Sequence, residues 1–187
     1  MLKRMNKSHG PLRDFGLSQI SWRPHMRILD VGCGGGATIR EMLELSKDSV
    51  IDGVDYSEVS VAQSRELNRD YLENRCHICQ GDAAELPFME NTYDLVTAVE
   101  TIYFWPDPEK ALSEILRVLK PSGIFAVLNE GSDPDQCDWP AIDGFLRIYR
   151  PEELKSLMEE AGFEEIKIYH GEGQMICVTG RKKGEER

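Results

Sequence analysis

"RILDVGCGGGATIR", residues 27–40, decides the fold. A short apolar run ends in Asp30, and the five residues from Gly32 to Gly36 then hold four glycines. "ATIREMLELSK" (37–47) follows and reads as a helix. A glycine-rich turn between a strand and a helix brings backbone N–H groups and a helix N-terminus close to a ligand, so such turns usually cradle something. The pattern then repeats. "SVIDGVD" (49–55) reads as a second strand, and "SEVSVAQSRELNRDYL" (57–72) as a helix opened by Ser57. "CHICQGD" (76–82) is a third strand; "YDLVTAVE" (93–100) is a fourth, apolar in its middle as parallel strands covered on both faces are. "DPEKALSEILRVL" (107–119) is a helix with Pro108 in its first turn, and "SGIFAVLNE" (122–130) a fifth strand. "PEELKSLMEEAG" (151–162) is a proline-first, glycine-last helix. "FEEIKIYH" (163–170) and "QMICVTGRK" (174–182) close the chain as two strands joined by a short turn, hence antiparallel.

This alternation predicts an α/β fold: a Rossmann-like, doubly wound, mostly parallel seven-stranded sheet with an antiparallel edge strand. Upstream, Leu12, Phe15, Ile20 and Trp22 suggest a weak amphipathic helix or cap. The expected layout is a cap or lid segment over 1–25, one domain over 26–182 and a disordered tail over 183–187. A chain of 187 residues is most economically one such domain, able to bury about 70% of its unfolded surface.

The 33 acidic and 22 basic residues leave a net charge of −11, which argues against nucleic acid or an anionic membrane as partner. No apolar run approaches the roughly 18 residues of a membrane span. The start, "MLKRMNKSHG", lacks a signal peptide's apolar stretch, so a cytoplasmic protein is expected. Five cysteines at 33, 76, 79, 137 and 177 do not form a disulfide framework. Cys76 and Cys79 have metal-pair spacing, but three apart on a strand they face opposite ways and no second pair completes a site; no metal is expected.

In an open α/β sheet, ligands bind outside the carboxyl ends of the strands. "GCGGGA" (32–37) satisfies the dinucleotide pattern, and Asp55 follows Gly36 by nineteen positions, where a ribose-binding carboxylate belongs. Those two features alone suit a nicotinamide enzyme. Asp30 counts against it: at the strand's end its carboxylate should face the crevice, where a pyrophosphate would meet like charge. Asp30, Asp55, Asp82 and Glu100 all fall at strand ends, so the crevice suits a ligand with positive charge, ribose hydroxyls and a purine. Taken singly, Asp30 could merely cap the turn and Asp82 could start a loop.

"ILDVGCGGGATI", "GVDYSEVSVAQSRE", "GDAAELPF", "YDLVTAVETIYFWPDPEKALSEILRVLKPSGIFAV" and "LMEEAGF" occur in this order. Together they resemble the class I S-adenosylmethionine-dependent methyltransferases, notably the small-molecule, ubiquinone/menaquinone-type branch, over about residues 26–182. The resemblance implies S-adenosylmethionine as cofactor and a small-molecule methyl acceptor. It implies that Asp30, Gly32, Cys33 and Gly34 line the methionine moiety and that Gly36 keeps the turn tight. Asp55 would take the ribose hydroxyls, Tyr56 would lie against the adenine, and Asp82 would take its amino group beside the Ala83 N–H. Glu100 and Thr101 would close over the methionine. A nicotinamide oxidoreductase and a catalytically silent cofactor-binding module stay open as alternatives.

Methyl transfer from a sulfonium needs a general base only if the acceptor must lose a proton, so no motif names a catalytic residue. Tyr103, standing where many relatives carry a histidine, and His9, in a segment that folds over the cofactor in similar proteins, are the candidates. Met5 and Asn6 belong to that same segment. His25, His77 and His170 read as structural. Phe104, Trp105, Trp139, Phe145 and Tyr149 could form an apolar acceptor pocket or ordinary packing. "ETIY" (100–103) stands in place of the Asn/Asp-Pro-Pro-aromatic tetrad of enzymes that methylate base or glutamine amines. Residues before Met26 and the loop 131–150 are expected to form a mobile lid.

Overall fold

The structure, a computed structural model, describes residues 9–72, 74–137, 139 and 146–184. Its elements run α1 (Gly10–Ser18), β1 (Arg27–Val31), α2 (Ala37–Leu45), β2 (Val50–Asp55), α3 (Glu58–Leu67), β3 (Cys76–Gln80), β4 (Tyr93–Val99), α4 (Pro108–Val118), β5 (Leu119–Asn129), α5 (Pro151–Ala161), β6 (Phe163–His170) and β7 (Ile176–Lys182). Local chemistry sets the helix ends. Ser57 Oγ accepts from Ser60 N at 3.3 Å to cap α3, and Asp107 Oδ1 accepts from Lys110 N at 3.0 Å to cap α4. Gly162, at φ 102°, closes α5 in the left-handed conformation that costs glycine least.

The seven strands form one sheet in the order β3-β2-β1-β4-β5-β7-β6. β1 to β5 pair in parallel, while β7 runs antiparallel to both β5 and β6. The antiparallel strand is thus inserted between β5 and the edge strand β6. Side chains alternate across the sheet with period two. Leu29, Val96, Phe125 and Val178 pack towards Leu112, Ile115, Leu154 and Met158 of α4 and α5. Their neighbours Ile28, Leu95, Ala126 and Cys177 pack towards Leu12, Leu17, Ile39, Met42 and Val61 of α1, α2 and α3. Covering both faces is what requires the continuous apolar runs of β4 and β5. The strand order reverses between β1 and β4, and this places the crevice at their carboxyl ends.

α1, in the segment before Met26 that is expected to form a lid, is packed against the sheet. Leu12 and Leu17 are buried, Arg13 Nε meets Glu41 Oε1 at 2.9 Å, and a Cβ on Gly16 would collide with the side chain of Leu128. Lifting α1 would expose both leucines, at a cost of about 1.5–3 kcal/mol each. Part of the 131–150 loop is also tied down. Ser132 N and Asp133 N both donate to Gln174 Oε1, and Arg150 bridges Asp133 and Asp135 at 2.7 and 2.6 Å.

Candidate active site

The glycine turn is stitched to the end of β2. Gly32 N and Cys33 N both donate to Val54 O, at 2.8 and 3.1 Å, and Gly34 N donates to Asp55 Oδ2 at 2.8 Å. The other oxygen of Asp55 accepts from Ser57 N at 2.9 Å, so this carboxylate is oriented from two sides while half-buried. Gly32, Gly34 and Gly36 all have positive φ, at 72°, 51° and 81°. Their surroundings differ. A Cβ on Gly32 would collide with Thr101 Oγ1, and one on Gly36 would collide with Ser64 Oγ and lie 2.6 Å from Asn68 Nδ2. A Cβ on Gly34 would meet nothing within 4 Å. Gly32 and Gly36 are therefore glycine for close packing, and Gly34 opens onto free space beside Asp55.

This arrangement fits S-adenosylmethionine. An open glycine next to an oriented carboxylate is a cradle for hydroxyls and positive charge, and Asp30 lies below it. The Asp30 carboxyl is 1% exposed, accepts from Thr97 Oγ1 at 2.7 Å, and burial pushes it up to about 7. It is therefore enclosed within the sheet instead of facing an open crevice, because Thr97 of the neighbouring β4 covers it. Cys33 also points inward, 6% exposed among Ile39 and Gly53, which leaves its backbone to line the turn. Tyr56, 77% exposed, presents a bare ring just past Asp55. Asp82 Oδ1 accepts from Ala84 N at 2.8 Å, ordering the loop after β3, and Ala83 beside it is half-buried.

On the other side of the switch point sits Glu100, a non-glycine residue with φ 56°. Its Oε1 accepts from Tyr103 Oη at 3.0 Å and from Glu130 N. Burial raises it to about 7. Glu130 Oε2 lies 3.1 Å from His9 Nδ1, and Glu100 Oε2 lies 3.7 Å from the same nitrogen. Tyr103 is buried, 1% exposed, with its hydroxyl also bonded to Gly131 N, and burial drives it far above the ordinary phenol range. A phenol so enclosed positions Glu100 and Gly131; it cannot act as the base facing an acceptor. His9 is thus brought to the site, whereas Tyr103 stands behind it.

Trp139, 37% exposed, packs edge-on to Tyr103 at 5.5 Å between ring centroids, and Phe104 packs on the same ring at 6.0 Å. Trp105 and Tyr149 are core residues. Met5, Asn6 and Phe145 lie outside the described residues. His77 meets Asp52 at 2.9 Å, while His25 and His170 are exposed. Cys76 and Cys79 are free thiols.

Sequence reasoning missed Thr97, Glu130, Ser64 and Asn68. The last two carried a signal: with Val61 they fall at helical spacing, Asn68 just past the end of α3, where buried polar side chains need a reason. Asn68 Nδ2 donates to Gly36 O at 3.1 Å, holding the turn.

Comparison with known proteins identifies the family. The family described as "Methyltransferase domain" matches residues 29–127, just over half of the chain. The chain belongs to this methyltransferase family. Its cofactor is S-adenosylmethionine, and the dinucleotide reading of the glycine turn is set aside. The methyltransferase chain is 33% identical over 160 residues to cycloartenol-C-24-methyltransferase of Arabidopsis thaliana, covering 79% of itself and 47% of that protein. It is 30% identical over 149 residues to sterol 24-C-methyltransferase ERG6 of Saccharomyces cerevisiae, covering 73% and 39%. The chain thus spans less than half the length of these curated relatives. Among solved structures, the [4+2]-cyclase SpnF superposes with a TM-score of 0.78 at 26% identity, over 93% of this chain and 80% of that one. A methyltransferase from Aquifex aeolicus shares the fold with a TM-score of 0.83 at 19% identity, over 97% and 96%.

Proposed function

We propose that this chain transfers a methyl group to a small, largely apolar acceptor. The observation that carries the reading is the open Gly34 beside the doubly oriented Asp55 carboxylate, at the switch point of a methyltransferase-family sheet. Bound there, S-adenosylmethionine supplies a methyl already activated on a sulfonium. In this reading Asp55 takes the ribose hydroxyls, Tyr56 lies against the adenine, and Asp82 with the Ala83 N–H takes the adenine edge. Gly32, the Cys33 backbone, Glu100 and Thr101 surround the methionine moiety, and Asp30 stays enclosed against Thr97. The remaining work is alignment and exclusion of water, worth about 7–11 kcal/mol for well-oriented reactants. Residues 1–25 would act as a cap and 26–182 as the catalytic domain.

Two things favour an apolar acceptor. Tyr103, Phe104 and Trp139 make an aromatic group next to Glu100. The motif order resembles ubiquinone/menaquinone-type enzymes, while the curated relatives are named as sterol methyltransferases; sterols are mostly hydrocarbon, and these quinones carry long hydrocarbon tails. The net charge of −11 favours a small-molecule acceptor over nucleic acid, and the reading places the chain in the cytoplasm. Among the described residues no helix is long and apolar enough to cross a membrane.

The test is production of adenosylhomocysteine from S-adenosylmethionine with sterol and quinone acceptors. A second reading, a cofactor-binding chain that catalyses something else, draws on the neighbour named as a cyclase. Tight adenosylhomocysteine binding without turnover on any acceptor of either class would favour it.

A further inference from the structure

His9, Glu100 and Glu130 come from three separate parts of the chain, and each turns one ligating atom to a common point. One ligating atom from each of the three residues lies within 4.8 Å of those of the other two. Two donors on one ion with bonds of about 2.1 Å sit about 3.0–3.5 Å apart in octahedral or tetrahedral geometry. The separations from His9 Nδ1 are 3.1 Å to Glu130 and 3.7 Å to Glu100, close to that spacing. Among the described residues this is the group whose histidine, cysteine and carboxylate atoms converge in this way.

Two further observations concern what these atoms lack and what holds them. His9 Nδ1 is buried without a hydrogen-bond partner, although a carboxylate oxygen lies 3.1 Å away. The proximity is right and the hydrogen-bond angle is not. Glu100, meanwhile, is anchored through its far oxygen only: Tyr103 Oη and Glu130 N both bond Oε1 and leave Oε2 facing His9. A carboxylate held from behind with its free oxygen presented is how an outer layer of hydrogen bonds orients a metal ligand. The three side chains are only 11–30% exposed, so a cation held there would be largely shielded from water by donor atoms suited to it.

We propose that His9, Glu100 and Glu130 bind a divalent first-row transition ion at the carboxyl ends of β4 and β5. Imidazole with carboxylates suits Zn2+, Mn2+ or Co2+ better than Mg2+ or Ca2+, which prefer all-oxygen sites. Three protein ligands leave positions open for water or an acceptor oxygen.

The experiment uses the full chain without an affinity tag, stripped with chelator. Binding of Zn2+ is followed by calorimetry and binding of Co2+ by visible absorption. The expected result is one ion per chain, with a Co2+ spectrum of nitrogen and oxygen ligation and no thiolate charge-transfer band. His9→Gln and Glu130→Gln should abolish or greatly weaken it. Tyr103→Phe, which removes one of the two hydrogen bonds that orient Glu100 and the contact to Gly131, should weaken it by about 10- to 100-fold. Circular dichroism of each variant reports folding, and the wild-type spectrum is informative even if a variant fails to fold. Absence of 1:1 binding by the wild-type chain would overturn the proposal. So would a thiolate band, which would move the ion to a cysteine, or affinity unchanged in all three variants.

Discussion

Replacing Gly36 and Gly34 by alanine, one at a time, separates two kinds of glycine within one turn. Both have left-handed backbone, at 81° and 51°, so each alanine carries about 1–2 kcal/mol of conformational penalty. At Gly34 nothing more is added, because the new methyl meets no atom within 4 Å. At Gly36 the methyl collides with Ser64 Oγ and lies 2.6 Å from Asn68 Nδ2 and 2.9 Å from the Ser64 Cα. The last is backbone and cannot rotate away, so α3 must shift, at about 1–3 kcal/mol for overpacking. Moving α3 also stretches the Asn68–Gly36 hydrogen bond. The totals are about 1–2 kcal/mol for Gly34→Ala and about 2–5 kcal/mol for Gly36→Ala. Urea unfolding measures both, and calorimetry with adenosylhomocysteine supplies the second axis. Gly34→Ala should lose the larger share of ligand affinity relative to its stability cost, since its methyl enters the open space beside Asp55. A Gly36→Ala variant as stable as wild type, or a Gly34→Ala variant less stable than Gly36→Ala, would refute the reasoning.

Asp55→Asn removes the charge from the carboxylate beside Gly34; loss of charged hydrogen bonds worth about 1.5–3 kcal/mol should weaken adenosylhomocysteine binding by about 10- to 150-fold. An unchanged dissociation constant would place the cofactor elsewhere. Asp30 is raised from an ordinary 3.8 to about 7, so its contribution to stability is fully present below pH 4 and is lost as pH rises towards 7. Asp30→Asn, which can still accept from Thr97, should match wild type near pH 4 and exceed it by up to about 4 kcal/mol above pH 7, read by urea unfolding across pH; parallel pH curves would contradict this. Asp52 accepts from Arg27, Tyr93 and His77 at 2.7, 2.7 and 2.9 Å, so Asp52→Ala strands a buried phenol and an arginine and should cost about 3 kcal/mol or more. A loss below about 1 kcal/mol would mean that this network contributes little.

The order of strands and helices was legible because apolar periodicity, helix caps and proline–glycine punctuation are local properties of the chain. The same holds for the glycine turn and Asp55, whose roles follow from position after a strand. Ser57 as a cap and Gly162 as a terminator were readable one residue at a time. The place of β7 between β5 and β6 was not: a short turn requires β6 and β7 to pair, but does not say which of the two meets β5. Nor was the packing of α1, since its weak amphipathic pattern does not show that Gly16 would meet Leu128.

What the sequence by itself determined, then, is the class of the sheet, the turn at its switch point and the carboxylate that orients it. Only tertiary structure decided which polar groups are buried and which of them meet. Asp30 and Thr97 become partners because β1 and β4 are neighbours in space, and burial then lifts the Asp30 carboxyl. His9, Glu100 and Glu130 converge because α1 packs across β5 while β4 and β5 end side by side. Burial and long-range convergence depend on the whole packed arrangement, whereas strand, helix and turn depend on neighbours along the chain.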